Sequence, residues 1–165
     1  MKRTVLIMFM LITAIPLISA TEQIHDILII GKDTIKLKSF PLEKLGFEIR
    51  PFDYYDFPAS NCWRGYQATW KVIDDKLFLI EVVKIDEPDQ KLDLVNYFKT
   101  NHYEPVVIDG FVFADWFSMD LTAYPKNCRH WGCNFFKTYK PRKGHPSISF
   151  EHGVMVRNRY KMPRR

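Results

Sequence analysis

The sequence lacks the short motifs by which several large enzyme classes are identified. It contains no Ser-centred nucleophile elbow, no His-Glu-x-x-His pair and no glycine-rich phosphate loop. It also shows no internal repeat and no alternation of strands with helices. These absences argue against the familiar hydrolases, the zinc proteases and the doubly wound nucleotide-binding folds, and they predict no cofactor.

Cysteine is scarce, which limits both metal binding and disulfide formation. The three cysteines are Cys62, Cys128 and Cys133, an odd number that predicts one pair and one leftover thiol in an oxidising compartment. A structural zinc site needs tightly spaced cysteines matched by a second pair, which is missing here, so no metal site is predicted. Cys128 and Cys133 are the candidate disulfide, although a bridge from Cys62 to either of them stays open.

Only one apolar run is long, and it stands at the start of the chain. Lys2 and Arg3 precede the run from Val5 to Ile18, and small residues close the segment at Ala20. This order is typical of a secretory signal peptide, and a run of 14 residues falls short of the roughly 20 that span a bilayer. We predict cleavage after Ala20 and export to the periplasm or beyond, with no transmembrane span afterwards. An uncleaved N-terminal anchor is the alternative.

Acidic residues are nearly absent from the last part of the chain. Residues 21–120 carry 11 Lys/Arg and 18 Asp/Glu, whereas residues 121–165 carry 11 Lys/Arg and one acid, Glu151. Such asymmetry can indicate an anionic partner, which for an exported protein favours an envelope surface over nucleic acid. The alternative is that the basic part neutralises the acidic part. The predicted basic face comprises Lys137, Lys140, Arg142, Lys143, Arg157 and Arg159.

The remaining pattern predicts a single β-rich α+β domain over residues 21–160, followed by a frayed basic tail at 161–165. Short strands with tight turns indicate an antiparallel sheet, which can be curled or barrel-like, and one helix is expected near residues 89–99 with Asp89 as its cap. Hairpins are predicted at residues 27–37, 106–113 and 147–156, a helical turn at 41–45, and a further strand at 134–139.

Strict alternation gives the clearest strand. Tyr66, Ala68, Trp70 and Val72 share one face between residues 66 and 72, and polar residues occupy the other. We therefore expect these four side chains to face the core, and the strand to pair antiparallel with residues 77–83.

Several segments in this order resemble a group of uncharacterised exported bacterial proteins. They are Asp26 to Thr34, Phe40 to Glu43, the Arg64-Gly-Tyr-x-Ala-x-Trp70 strand, Lys76 to Leu79 and the Phe113-Ala-Asp-Trp-Phe117 segment. Met119 stands where that group has glycine, so the turn there is expected to differ. The resemblance covers nearly all of the predicted mature chain and implies no activity and no catalytic residues.

Two sets of residues are candidates for the site. Arg64 is expected either to pair with Asp115 and hold the fold together or to bind an anionic ligand. Trp63, Tyr54, Tyr55 and Trp116 could form a stacking platform for a sugar or peptide, although aromatic residues are more often part of a core.

Three functions fit these observations. The first is an exported, non-catalytic binding module whose ligand is unknown and which engages anionic envelope material. The second is an accessory or immunity-type protein that binds a protein partner. The third is an unrecognised envelope hydrolase that uses acids among the aromatic residues, of which the candidates are Asp53, Asp56, Asp115 and Asp120.

Overall fold

A computed structural model describes residues 23–47, 49–52, 61–122 and 147–159. The predicted signal peptide, the basic tail and the predicted strand at 134–139 lie outside these residues. The described part contains nine strands, one short 3₁₀ helix (Pro41–Lys44) and one α-helix, α1 (Leu94–Thr100). The strands are β1 (Ile27–Ile30), β2 (Asp33–Lys36), β3 (Tyr66–Ile73), β4 (Lys76–Lys84), β5 (Val107–Ile108), β6 (Phe111–Phe113), β7 (Asp120–Thr122), β8 (Ser147–Glu151) and β9 (Val154–Asn158).

All nine strands belong to one curled sheet that forms a half-barrel, so the predicted β-rich α+β class is confirmed. The strand order is β2-β1-β3-β4-β9-β8-β7, and the short β6 also pairs with β4 and carries β5. The pairs are antiparallel except for β1 with β3, which makes the sheet mixed. Beyond the end of β2, one hydrogen bond reaches the opposite edge strand: the Lys38 amide donates to the Thr122 carbonyl of β7 over 2.8 Å.

The central hairpin confirms the alternation found in the sequence. Strands β3 and β4 pair antiparallel, and Tyr66, Ala68 and Trp70 are completely buried. Val72 is partly buried against the same core. Asp74 and Asp75 form the connection, both with positive φ, as two-residue hairpin turns that match the twist of a sheet require.

The other predicted hairpins are also confirmed, with small changes at their ends. Strands β1 and β2 join at Gly31, β5 and β6 at Asp109–Gly110, and β8 and β9 at His152–Gly153, each with positive φ in the turn. These turns can be predicted from sequence because they depend on the backbone preferences of the turn residues themselves.

The helix begins later than predicted. It starts at Leu94, and its cap is Asp93, whose side chain accepts from the Asn96 amide over 3.1 Å. The prediction of Asp89 as the cap is wrong because the chain just before the helix is held by β4. Lys91 bridges to Val83, and the Leu92 amide donates to the Val82 carbonyl. Phe98 is the buried residue of the helix.

Strand β7 was not expected from the sequence. Its three residues include one apolar side chain, Leu121, which is too little for a periodic pattern. It becomes a strand because β8 pairs with it, and Leu121 then joins a core that includes Ile148 and Phe150.

Gly153 lies at a close contact between the last hairpin and the Phe113–Phe117 segment. It is buried with φ of 74°, and a Cβ atom there would stand 2.5 Å from the Ala114 carbonyl oxygen. Its amide donates to Phe117, and its carbonyl accepts from the Leu77 amide, both over 2.8 Å. Only glycine meets both the conformation and the space at this point.

We predict that Gly153→Ala lowers the free energy of unfolding by about 2–5 kcal/mol, because a left-handed conformation and a backbone clash both oppose the methyl group. Gly110→Ala is the matched control, since Gly110 also has positive φ but nothing within 4 Å of a Cβ atom. The control should lose about 1–2 kcal/mol. Urea titration measures both losses, and equal losses would show that the close approach to Ala114 is absent.

Candidate functional site

The most concentrated polar chemistry of the described residues surrounds Asp26, which directly precedes β1. Its side chain is completely buried. The Arg64 Nη1 and the Ala68 amide donate to Oδ1 over 2.8 and 3.3 Å, and the Trp70 Nε1 donates to Oδ2 over 3.2 Å. The parallel pairing of β1 with β3 places Asp26 beside these donors. We call Asp26, Glu43, Arg64, Tyr66 and Trp70 the Asp26 cluster.

Arg64 is almost enclosed, with 10% of its side chain exposed. Besides Asp26, its guanidinium donates to the Ile24 carbonyl over 2.7 Å and lies 3.8 Å from the Glu43 carboxylate. The planar group also covers the Phe40 ring at 3.7 Å from the centroid, a cation–π contact. Arg64 therefore joins the start of β1, the 3₁₀ helix and the turn before β3.

Asp115 was the wrong partner to expect for Arg64. The Asp115 carboxylate instead accepts a hydrogen bond from the Tyr103 hydroxyl. The partner that Arg64 does take, Asp26, is 38 residues away in sequence and reaches it through the pairing of β1 with β3. Nothing in the local pattern signals this pairing, because an acid at the start of an apolar strand is usually exposed.

Burial dominates the electrostatics of this cluster. It raises the pKa of Asp26 above its ordinary value of 3.8, and the guanidinium of Arg64 with the two N–H donors offsets part of the rise. Burial likewise raises the pKa of Glu43, which lies at the edge of the cluster. The Tyr66 hydroxyl is buried without a hydrogen-bond partner, and burial raises its pKa too, so it stays protonated.

The residues around Arg64 in sequence have opposite environments. Cys62 is buried, and its thiol donates to the Tyr66 carbonyl over 3.3 Å as a free cysteine. Trp63 is 77% exposed, the largest exposed fraction among the large apolar side chains of the described part. Its amide donates to the Gln23 Oε1 over 3.0 Å, so the backbone of this turn is fixed while the indole lies outside.

Trp116, another predicted platform residue, belongs to a different aromatic group. It packs against Trp70, Phe98 and Tyr103, with ring centroids 6.4, 5.6 and 5.7 Å away. Among the described residues, the rings that contact Trp116 do not include Trp63. Its indole nitrogen is buried without a hydrogen-bond partner. Trp116 is thus part of the packing around Phe98, and Trp63 is a surface residue.

Of the predicted basic face, Arg157 and Arg159 can be placed. Both are exposed at the end of β9, which continues past Val156 to Asn158. The Arg159 amide still donates to the Ser147 carbonyl over 2.9 Å, so the pairing with β8 extends to it. The other predicted site residues lie outside the described part: Tyr54, Tyr55, Lys137, Lys140, Arg142 and Lys143, together with the candidate disulfide Cys128–Cys133.

The described residues hold no group of three or more His, Cys, Asp or Glu side chains that could bind a metal ion. In the same ranges, no helix has the length and apolarity that crossing a membrane requires. Of the acids suggested for hydrolysis, Asp115 is bound to Tyr103 and Asp120 is exposed, whereas Asp53 and Asp56 lie outside the described residues.

Comparisons with known proteins place this chain in no established group: no family model, no curated protein and no solved structure matches it. The resemblance to uncharacterised exported bacterial proteins therefore stays a prediction.

The contacts of Arg64 within the Asp26 cluster predict that removing its side chain destabilises the fold. Arg64→Ala leaves Asp26 buried without its main partner, and we expect a loss of about 3–5 kcal/mol in the free energy of unfolding. Lys91→Ala is the control, because Lys91 forms an exposed ion pair with Glu81 and such pairs contribute little. Chemical denaturation gives both values, and a loss for Arg64→Ala no larger than that of the control would contradict the structural role.

The raised pKa of Asp26 predicts a pH dependence of defined sign. The folded protein holds the proton more tightly than the unfolded chain, so this contribution to stability is complete below about pH 3.8 and is lost as the pH rises through the folded pKa. Asp26→Asn cannot titrate, so the destabilisation that it causes should shrink with rising pH. Urea titrations of both proteins between pH 3 and 8 test this, and a destabilisation that grows with pH would show a lowered pKa instead.

Proposed function

We propose that this chain is an exported, non-catalytic binding module that engages anionic envelope material through its basic C-terminal third. The proposal unites the N-terminal signal-like segment with the separation of charge along the chain. The proposal invokes no catalytic centre. The densest polar cluster of the described residues consists of contacts that hold strands together.

One observation carries the proposal: Arg157 and Arg159 are exposed and form no ion pair with any described acid. The competing account is that the basic third neutralises the acidic remainder. The acid-rich part, however, supplies its own cations. Lys84 pairs with Asp86 and Glu87, Lys91 with Glu81, and Lys99 with Glu104.

The strand geometry favours an outward role for these arginines. Arg157 stands opposite Ser149 in the β8–β9 ladder, and Glu151 stands opposite Val154 instead. The one acid of the basic third is therefore at the far end of the hairpin from both arginines. Two cations spaced two residues apart on an extended chain project to the same side, which suits contact with a charged surface.

The test is retention on a polyanion resin and on anionic vesicles at low and high salt. Exposed charges act through solvent, so retention should fall steeply as salt rises beyond the physiological range. The double reversal Arg157→Glu with Arg159→Glu should lower the salt concentration needed for elution. Lys91→Glu with Lys99→Glu is the matched control, since it changes the net charge equally but removes cations already paired with acids.

Two results would overturn the proposal. The first is a lack of retention even at low salt. The second is an equal effect of the two double reversals, which would mean that net charge and not a basic face controls binding. Circular dichroism of each variant establishes that the fold is intact before retention is compared.

A further inference from the structure

Trp63 is held outside the fold by neighbours that are themselves fixed. Cys62 on one side is buried, and Arg64 on the other is bound to Asp26. The turn is closed by the Gly65 amide, which donates to the Cys62 carbonyl over 3.1 Å. The indole is 77% exposed on a rigid backbone, so its exposure is a property of the fold and does not come from a frayed segment.

The same turn is attached to the first described residues of the chain. The Ile24 amide donates to the Asn61 carbonyl over 2.7 Å, and the Gln23 side chain accepts from the Trp63 amide. Gln23 follows Ala20 by three residues and Ile18, the end of the apolar run, by five. Five extended residues reach at most about 17 Å.

This attachment fixes which end of the domain lies towards a membrane. While the apolar run is in the bilayer, before cleavage or as an anchor, Gln23 stays within about 17 Å of the hydrocarbon core. The polar layer on each side of that core is about 5–8 Å thick. The Trp63 turn, which is hydrogen-bonded to Gln23, therefore emerges within about 12 Å of the outer edge of the headgroup layer.

We propose that Trp63 is a membrane-contact residue that inserts its indole into the interfacial layer of the bilayer from which the chain emerges. Tryptophan suits this layer because its ring is apolar and its N–H remains able to bind water or headgroups. The inference rests on the export part of the proposed function and adds a surface distinct from Arg157 and Arg159. It commits to the lipid surface as the occupant, and a protein partner is an outcome of the test.

The experiment uses the protein purified from exporting cells, in whichever N-terminal form it occurs, with vesicles of phosphatidylcholine alone or with phosphatidylglycerol. Brominated acyl chains quench the fluorescence of tryptophan that lies near them. The comparison is made in a Trp131→Phe background, because Trp131 lies outside the described residues. We expect quenching that Trp63→Phe removes for the most part, because Trp70 is buried and Trp116 is packed in the aromatic group. Insertion of an apolar ring should also persist at high salt, unlike contact through exposed arginines.

Affinity provides a second readout with a matched control. Trp63→Ala should lower the vesicle partition coefficient about fivefold or more, whereas Trp63→Tyr should retain most of it. Val106→Ala is the control, because Val106 is another exposed apolar side chain, 43% exposed, outside this turn. Thermal unfolding should be the same for all three variants, since the indole makes little contact with the fold.

The outcomes separate this inference from the proposed function. Quenching unchanged by Trp63→Phe, together with an unchanged partition coefficient for Trp63→Ala, would overturn the inference, even if the resin experiment still supports the basic face. Quenching lost with Trp63 but no retention on polyanions would support the inference and remove the basic-face proposal. If the Trp63→Ala variant loses capture of one envelope protein and keeps its lipid binding, the occupant is that protein, and the inference is wrong.

Discussion

The buried contact between Asp26 and Arg64 is the interaction on which the rest of the described structure depends. A buried carboxylate is costly unless it is hydrogen-bonded and paired, and Asp26 meets this condition through donors that belong to the turn before β3 and to β3 itself. Its own carbonyl accepts from the Leu37 amide. One residue thus joins β1 to β3 and to the segment after β2, and it fixes the only parallel register among the described strands.

This arrangement also explains which parts of the fold could be predicted from sequence. The hairpins and the inward face of Tyr66, Ala68 and Trp70 follow from turn residues and from alternation, both of which act over a few neighbours. The pairing of β1 with β3, strand β7 and the true start of the helix at Asp93 depend on contacts between distant segments. A helix cap at Asp89 is locally reasonable, and it fails only because β4 already pairs with the chain at Lys91.

In the candidate site too, features set by neighbouring residues could be predicted and features set by distant segments could not. The alternation that predicts β3 begins at Tyr66, so the sequence places Trp63 and Arg64 before the alternating residues. That Arg64 is enclosed and Trp63 exposed could not be predicted, since it requires knowledge of Asp26 and Gln23, about 40 residues away.

Cations in the acid-rich part of the chain and cations near its end have different surroundings. Lys84, Lys91 and Lys99 of the acid-rich part form ion pairs with nearby acids, so the fields of these charges largely cancel where they arise. Arg157 and Arg159 lack such partners among the described residues, and Met155 is the β9 side chain that packs against the core. The two arginines are therefore outside the packing that holds β9 in place, and substitutions there are expected to cost little stability. Residues that contribute little to the stability of the fold are available to bind a partner.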